Sequence, residues 1–168
     1  KFLWIVYVGI TVVQMIFLRI AGMETFDSIC HAFTTMPTGG FSTKNASIAH
    51  YDNPMIHYII IFFMFLAGIN FSLHFHAMSG SIKTYFRDTE FLVYFSIIFL
   101  VSSIILFSLS YQSSTFSDLT IRESLFGTIA MLTGTGYTLG DYERWPVFLQ
   151  MSLLTLMFIG GMGGSTTG

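Results

Sequence analysis

The sequence predicts an all-α membrane protein made of two tandem units, each a span, a short helix, a glycine-rich loop and a second span. Of the 168 residues, 53% are hydrophobic and only 10% are charged, whereas soluble domains carry roughly 25% charged residues. A transmembrane helix needs roughly 20 mostly apolar residues, and four stretches of the sequence are taken to qualify. A glycine motif recurs between them, since Gly136 and Tyr137 follow Gly40 and Phe41 by 96 residues (136 − 40).

The four predicted spans are all taken as membrane-length helices. The first runs from Phe2 to Ile20, and the second runs from Pro54 to Met78, with polar residues crowded into its second half. The third runs from Phe91 to Tyr111. The fourth runs from Trp145 to Ile159, where the tract GGMGGSTTG begins. Because the chain starts at Lys1 and stops within that tract, it is interpreted as an internal fragment.

Each linker between paired spans holds a helical segment too short to cross a bilayer. The first segment, FDSICHAFTTM, predicts a helix from Phe26 to Met36, and RESLFGTIAMLT predicts a second from about Ile121 to Leu132. Thr120 followed by Glu123 fits a capping box at the start of the second helix. The motifs TTMPTGGFSTKN and MLTGTGYTLG then follow in the same order.

A half-length helix that ends in a glycine loop between two spans indicates a re-entrant pore loop. Irregular backbone at membrane depth is tolerated only inside protein or beside a wet cavity. The carbonyl end of the short helix carries partial negative charge, and carbonyl oxygens of an extended segment can replace the hydration shell of a cation. Glycine permits the backbone conformations this requires, and the aromatics Phe41 and Tyr137 are predicted to brace the loops.

The charged residues indicate an orientation in the membrane, and the residue types and motifs argue against several other functions. Lys83 and Arg87 lie in the short link between the second and third spans, where basic residues are denser, although not more numerous, than in the two longer linkers. On density, the positive-inside rule places this link, with Lys1, in the cytoplasm and the glycine loops outside. The single cysteine, Cys30, excludes an internal disulfide framework and a CxxC metal site. Neither a nucleic-acid-binding basic run nor an enzymatic constellation is evident, and the final glycine tract lacks the lysine of a phosphate-binding loop.

The sequence also contains five longer motifs: GGFSTKNASIAHYDNP, GINFSLHF, MSGSIKTYFRDTEF, RWPVFL and FIGGMGGSTTG. Together they resemble the membrane subunit of the Trk/Ktr/HKT superfamily of potassium transporters, nearest the bacterial Trk type, over essentially the whole chain. The resemblance implies a four-fold pseudo-symmetric, ion channel-like fold of M1-P-M2 units in the inner membrane. Residues 1–84 correspond to the second unit, with filter loop 37–43, and residues 85–168 to the third, with filter loop 133–139.

The resemblance also assigns roles to residues, with K⁺ as the transported ion and no organic cofactor. The backbone of the K⁺ filter maps onto Thr38, Gly39, Gly40, Gly134, Thr135 and Gly136, supported by Phe41 and Tyr137. The last tract maps onto a gate below the filter, comprising Gly160, Gly161, Gly163, Gly164, Ser165, Thr166, Thr167 and Gly168. Such a tract is a poor helix, and close packing of small residues is the alternative. The resemblance further implies a homodimer and a cytoplasmic nucleotide-binding regulatory subunit.

Several alternatives stay open at this stage. Asn70 and His74 lie four residues apart on the second span, and either line an inner vestibule or tie helices together. A Na⁺-permeable or weakly selective transporter would have the same fold. A secondary transporter with broken helices is less favoured, because inverted repeats are typical of that class and both units here run in one direction. A purely structural membrane module leaves the repeated aromatic unexplained.

Overall fold

The computed structural model describes residues 2–113 and 116–167, which form α-helices joined by loops and two short 3-10 turns. Lys1, on which part of the orientation argument rests, lies outside the described residues. The helices of the first unit and of the link that follows it are α1 (Phe2–Ile20), α2 (Thr25–Thr35), α3 (Pro54–Ala67), α4 (Phe71–Met78) and α5 (Lys83–Arg87). Those of the second unit are α6 (Thr89–Ser113), α7 (Asp118–Leu132) and α8 (Val147–Ile159).

The predicted order of span and short helix is confirmed in both units. Helices α1 and α6 are long and apolar enough to cross a membrane, and only 22% of each apolar window is buried within the chain. The short helices α2 and α7 agree with the prediction, but the cap of α7 differs from it. Its N-cap is Ser117, whose hydroxyl accepts the Thr120 N–H at 3.2 Å. The capping box predicted at Thr120 is therefore wrong, and the helix begins at Asp118.

The second predicted span, from Pro54 to Met78, is wrong as a single helix. It consists of α3 and α4, which meet at an angle of 101°. The new helix starts because the Asn70 side chain accepts the Ser72 N–H at 2.8 Å, which caps α4. At Gly68 a Cβ atom would lie 2.2 Å from the Tyr94 hydroxyl, so glycine is required for close packing of the break against α6.

The fourth predicted span is wrong in length. Helix α8 has 13 residues, or about 20 Å at 1.5 Å per residue, against a hydrocarbon core of about 30 Å. It ends at Gly160, whose φ of 75° lies in the left-handed region. Both units break at an equivalent place, since Gly68 and Gly160 each follow the proline at the start of their helix by 14 residues (68 − 54 and 160 − 146).

The two units pack against each other through α3 and α7. The shared core contains the fully buried side chains Ile60, Met64, Phe126, Leu132, Tyr137 and Leu149. At one end of this interface Arg122 donates to His57 Nδ1 at 2.6 Å and to Asp118 at 2.8 Å. Because a guanidinium only donates, His57 carries its proton on Nε2, which donates to the Tyr51 carbonyl at 2.6 Å. This chain of polar contacts fixes the register of the two units.

Candidate functional site

The two glycine loops have the same backbone conformation. Left-handed φ values occur at alternate residues in both, 56° at Thr38 and 64° at Gly40, then 66° at Gly134 and 76° at Gly136. Such alternation turns successive N–H groups to one side of the chain. Accordingly, the N–H of Gly40 donates to the Thr34 carbonyl at 3.1 Å. The two loops are therefore built on one backbone pattern.

The equivalent bond in the second loop confirms the repeat. Gly136 donates its N–H to the Ala130 carbonyl at 3.1 Å, and Ala130 follows Thr34 by the same 96 residues. In the first loop Gly39 also donates to the Thr34 carbonyl, at 2.8 Å. In both units these amides point back to the end of the short helix. Two loop carbonyls accept hydrogen bonds, that of Phe41 from Thr34 Oγ1 and that of Thr138 from the Ala49 N–H. Those of residues 38–40 and 134–136 accept none within the part of the chain that the structure describes.

The two loops also touch each other. A Cβ atom built on Gly40 would lie 1.8 Å from the carbonyl oxygen of Thr135. A side chain at this position therefore cannot fit without displacing that oxygen. The corresponding Cβ atom on Gly136 meets no described atom within 4 Å. The first loop thus packs edge to edge with the second loop at the backbone level.

The two aromatic residues after the glycines differ in their surroundings. Tyr137 is fully buried, and its hydroxyl lies 2.6 Å from Thr34 Oγ1 and 3.3 Å from Thr35 Oγ1 on α2. Thr34 Oγ1 in turn lies 2.8 Å from the Phe41 carbonyl. The aromatic of the second unit therefore braces the short helix of the first. Phe41 is 78% exposed in this chain, so its predicted bracing role stays a prediction.

We expect Tyr137→Phe to lower the free energy of unfolding by about 1–2 kcal/mol, because it removes a buried hydroxyl that bonds to α2. The measurement is thermal or denaturant unfolding of the full-length protein in detergent. The matched control is Tyr111→Phe, since the Tyr111 side chain is 84% exposed. Equal stability of the two variants would contradict the bracing role.

A buried acid that the sequence analysis did not identify supports the segment leaving the first loop. Asp27 accepts hydrogen bonds from Thr43 Oγ1 at 2.7 Å and from the Tyr51 hydroxyl at 2.9 Å, and pairs with Lys44 at 3.1 Å. Burial favours a raised pKa, but these contacts outweigh it and hold the pKa of Asp27 below its ordinary value. The equivalent acid, Glu123, lies beside Gly140, where a Cβ atom would be 3.1 Å from Glu123 Oε1.

The glycine tract after α8 lies directly beneath the first loop. Its described part, residues 160–167, is called the gate loop below, and Gly168 lies outside the described residues. Thr166 Oγ1 lies 2.7 Å from the Met36 carbonyl at the end of α2 and 3.0 Å from the Ala67 carbonyl. The Thr38 hydroxyl lies 3.1 Å from the Thr166 carbonyl. The helix ends before this tract, as predicted, and the tract contacts the predicted filter.

A cavity of about 420 Å³ is lined by residues of the glycine loops and of the gate loop. Its walls come from the end of α7, from both glycine loops, from α8 and from the gate loop: Pro37, Thr38, Leu132, Thr133, Gly134, Met157, Gly160, Thr166 and Thr167. The cavity therefore brings together residues of both predicted filter loops and of the predicted gate.

Neither residue predicted for an inner vestibule lines this cavity. Asn70 caps α4 and packs beside Gly164, where a Cβ atom would lie 3.2 Å from its side chain. His74 is buried, with Nε2 2.9 Å from the Leu66 carbonyl and Nδ1 2.7 Å from the Tyr85 hydroxyl. The sequence left two roles open for His74, lining a vestibule or connecting helices, and these contacts favour the connection of helices.

Two tandem units of this kind, each with a glycine loop at the end of a re-entrant helix, define a pore-loop membrane protein. Residues 1–168 match the family model TrkH, described as a cation transport protein. The chain belongs to this family. It is 41% identical over 173 residues to the Trk system potassium uptake protein TrkH of Escherichia coli (strain K12), covering 100% of this chain and 35% of that protein.

Further relatives agree with this assignment. The Trk system potassium uptake protein TrkG of Escherichia coli (strain K12) is 34% identical over 169 residues, covering 99% of this chain and 34% of that protein. The crystal structure of the potassium transporter TrkH from Vibrio parahaemolyticus superposes with a TM-score of 0.93 at 35% identity, covering 99% of this chain and 36% of that one. The chain thus spans about a third of the length of these relatives.

Proposed function

We propose that this chain forms two adjacent quarters of a pore through which the full-length protein takes up K⁺ across the inner membrane. The observation that carries the proposal is the contact between the two glycine loops. Their amides point back to the short helices, and Gly40 lies against the Thr135 carbonyl. Ion filters are built from rings of backbone carbonyls, and two neighbouring loops of one conformation supply two quarters of such a ring.

The proposed filter consists of the backbone at Thr38, Gly39, Gly40, Gly134, Thr135 and Gly136. The carbonyl ends of α2 and α7 lead into these loops, so the helix dipoles place partial negative charge beside the proposed ion path. The cavity of about 420 Å³ lies on the other side of the loops, as an inner vestibule would. The gate loop borders this cavity through Gly160, Thr166 and Thr167, and it is proposed to restrict passage to the cytoplasm.

The orientation and the partners belong to the same proposal. With Lys83 and Arg87 in the cytoplasm, the glycine loops face outside and the gate loop faces inside. The names of the relatives support K⁺ as the ion, since they are Trk system potassium uptake proteins. A homodimer in the bilayer and a cytoplasmic nucleotide-binding regulatory subunit are proposed from membership of the family. No organic cofactor and no covalent step are needed for this activity.

The test is uptake by the full-length protein reconstituted in liposomes, with K⁺ and Na⁺ compared under the same gradient. We expect uptake of K⁺ to exceed uptake of Na⁺, because carbonyl spacing in such a filter replaces the hydration shell of the larger ion. Equal uptake of the two ions would favour the alternative function, a Na⁺-permeable or weakly selective transporter of the same fold. Uptake of neither ion by a correctly inserted protein would contradict the pore.

A further inference from the structure

The gate loop is seated on the break between α3 and α4. The last carbonyls of a helix have no partner within it, and here the loop supplies partners. The N–H of Met162 donates to the Gly68 carbonyl at 2.9 Å, and that of Thr166 donates to the Ala67 carbonyl at 3.3 Å. From the other side of the break, Phe71 donates its N–H to the Gly164 carbonyl at 3.1 Å. The broken span of the first unit therefore binds the gate loop of the second unit. The backbone groups of Ala67, Gly68 and Phe71 that do so are called the seat below.

One residue of α6 also contacts the gate loop. Glu90 Oε1 accepts the N–H of Gly163 at 2.5 Å. Glu90 lies in the first turn of α6, directly after the link that carries Lys83 and Arg87. The loop is thus held on one side by the seat in the first unit and on the other by the outer helix of its own unit.

Glu90 differs chemically from the other partners of the loop described above. Those partners are neutral backbone groups and hydroxyls, whereas the carboxylate makes a charge-assisted hydrogen bond, which is roughly twice as strong as a neutral one. Gly163 donates to it from between Met162 and Gly164, whose backbone groups bond to the seat. Anchoring the middle of the loop therefore keeps its two neighbours in contact with the break.

We propose that Glu90 is a positioning residue of the gate, whose carboxylate holds the gate loop on its seat and so keeps the cavity below the filter closed. This inference rests on the proposed function of the loop as a gate. A loop with a docked and an undocked arrangement responds to any contact made in only one of them. Removal of the Glu90 carboxylate shifts the loop toward the undocked arrangement and leaves the filter unchanged.

The test uses the full-length protein in liposomes, with K⁺ and Na⁺ uptake measured for the parent, Glu90→Gln and Glu90→Ala. The expected result is K⁺ uptake raised about tenfold by Glu90→Ala, as for the loss of a hydrogen bond to a charged group. Glu90→Gln keeps an acceptor without the charge and raises uptake less. The preference for K⁺ over Na⁺ stays at the parent value in both variants, which general damage to the fold would not produce.

The matched control is Asp88→Asn, which removes a negative charge at the same end of α6. Asp88 Oδ1 accepts the Phe91 N–H at 2.8 Å and caps the helix. Because asparagine also caps helices, K⁺ uptake by the Asp88→Asn protein is expected to equal that of the parent. Uptake by a correctly inserted Glu90→Ala protein that equals the control would overturn the role of Glu90. Absence of K⁺ uptake in the parent itself would instead overturn the proposed function.

A second variant removes the same hydrogen bond by a substitution in the gate loop. Gly163→Pro removes the N–H that Glu90 accepts, and the φ of Gly163 lies outside the left-handed region, which proline cannot adopt. It is expected to raise K⁺ uptake as Glu90→Ala does, and the double variant is expected to add little, since both remove one bond. Fully additive effects of the two substitutions, measured per correctly inserted protein, would contradict the contact.

Discussion

Gly40→Ser is expected to reduce the preference of the full-length protein for K⁺ over Na⁺ by at least about tenfold, equivalent to about 1.4 kcal/mol of differential binding. The reason is steric. A Cβ atom at Gly40 would lie 1.8 Å from the Thr135 carbonyl oxygen, so this oxygen, proposed to face the ion, must move. The left-handed φ at Gly40 adds a further cost of about 1–2 kcal/mol for any residue with a side chain. The measurement is K⁺ and Na⁺ uptake in liposomes.

Gly136→Ser is expected to reduce the same preference through backbone strain, to which a contact with the next unit of the full-length protein would add. Its φ is 76°, yet a Cβ atom there meets no described atom of this chain within 4 Å. From the repeat, we expect Gly136 to pack against the next unit of the full-length protein as Gly40 packs against Thr135. A loss of preference as large as that of Gly40→Ser would support this packing, and a smaller loss would indicate strain alone.

The control for both glycine variants is Thr138→Ser, because Thr138 is exposed and lies just beyond the proposed filter residues 134–136. Thr43 is less suitable than its position in the sequence suggests, since its hydroxyl bonds to the buried Asp27. Glycine variants that insert normally and keep the parent's preference for K⁺ would show that these loops are not the filter.

Deletion of residues 163–166 from the gate loop is expected to raise K⁺ uptake by more than about tenfold. It removes the bonds of Gly163 to Glu90 and of Gly164 to Phe71, together with those of Thr166 to Met36 and Ala67. Loss of several hydrogen bonds worth about 1 kcal/mol each favours the undocked arrangement. The measurement is the initial rate of uptake per inserted protein, with K⁺ preference recorded in parallel.

A milder variant tests the same contacts without shortening the chain. Thr166→Val removes the hydroxyl beside the Met36 and Ala67 carbonyls and keeps the shape of the side chain, so a smaller rise in uptake is expected. Thr155→Val is the matched control, because the Thr155 hydroxyl donates within α8, to the Met151 carbonyl at 2.8 Å. Unchanged uptake in the deletion variant would leave the glycine tract with a packing role.

The sequence by itself determined the class of the protein, the order of its elements and the repeat. These properties depend on local signals: low charge, apolar length, and a glycine followed by an aromatic at a fixed distance. The two short helices were predicted within a few residues of their observed bounds, and the end of α8 was predicted from the glycine tract. Such signals are strong because each arises from the chemistry of neighbouring residues in a bilayer.

The tertiary structure decided where the second span breaks and what the gate loop contacts. Mean hydropathy does not register the break at Gly68, because the polar residues that follow it lie among aromatics and the whole stretch stays apolar. The cap by Asn70 and the fit of Gly68 against Tyr94 become visible only when α3, α4 and α6 are packed together. The bonds from Glu90, Gly68 and Phe71 to the gate loop join residues more than 70 positions apart. Sequence reasoning cannot find such pairs, since each partner is an ordinary backbone group or an exposed acid until the fold brings the two together.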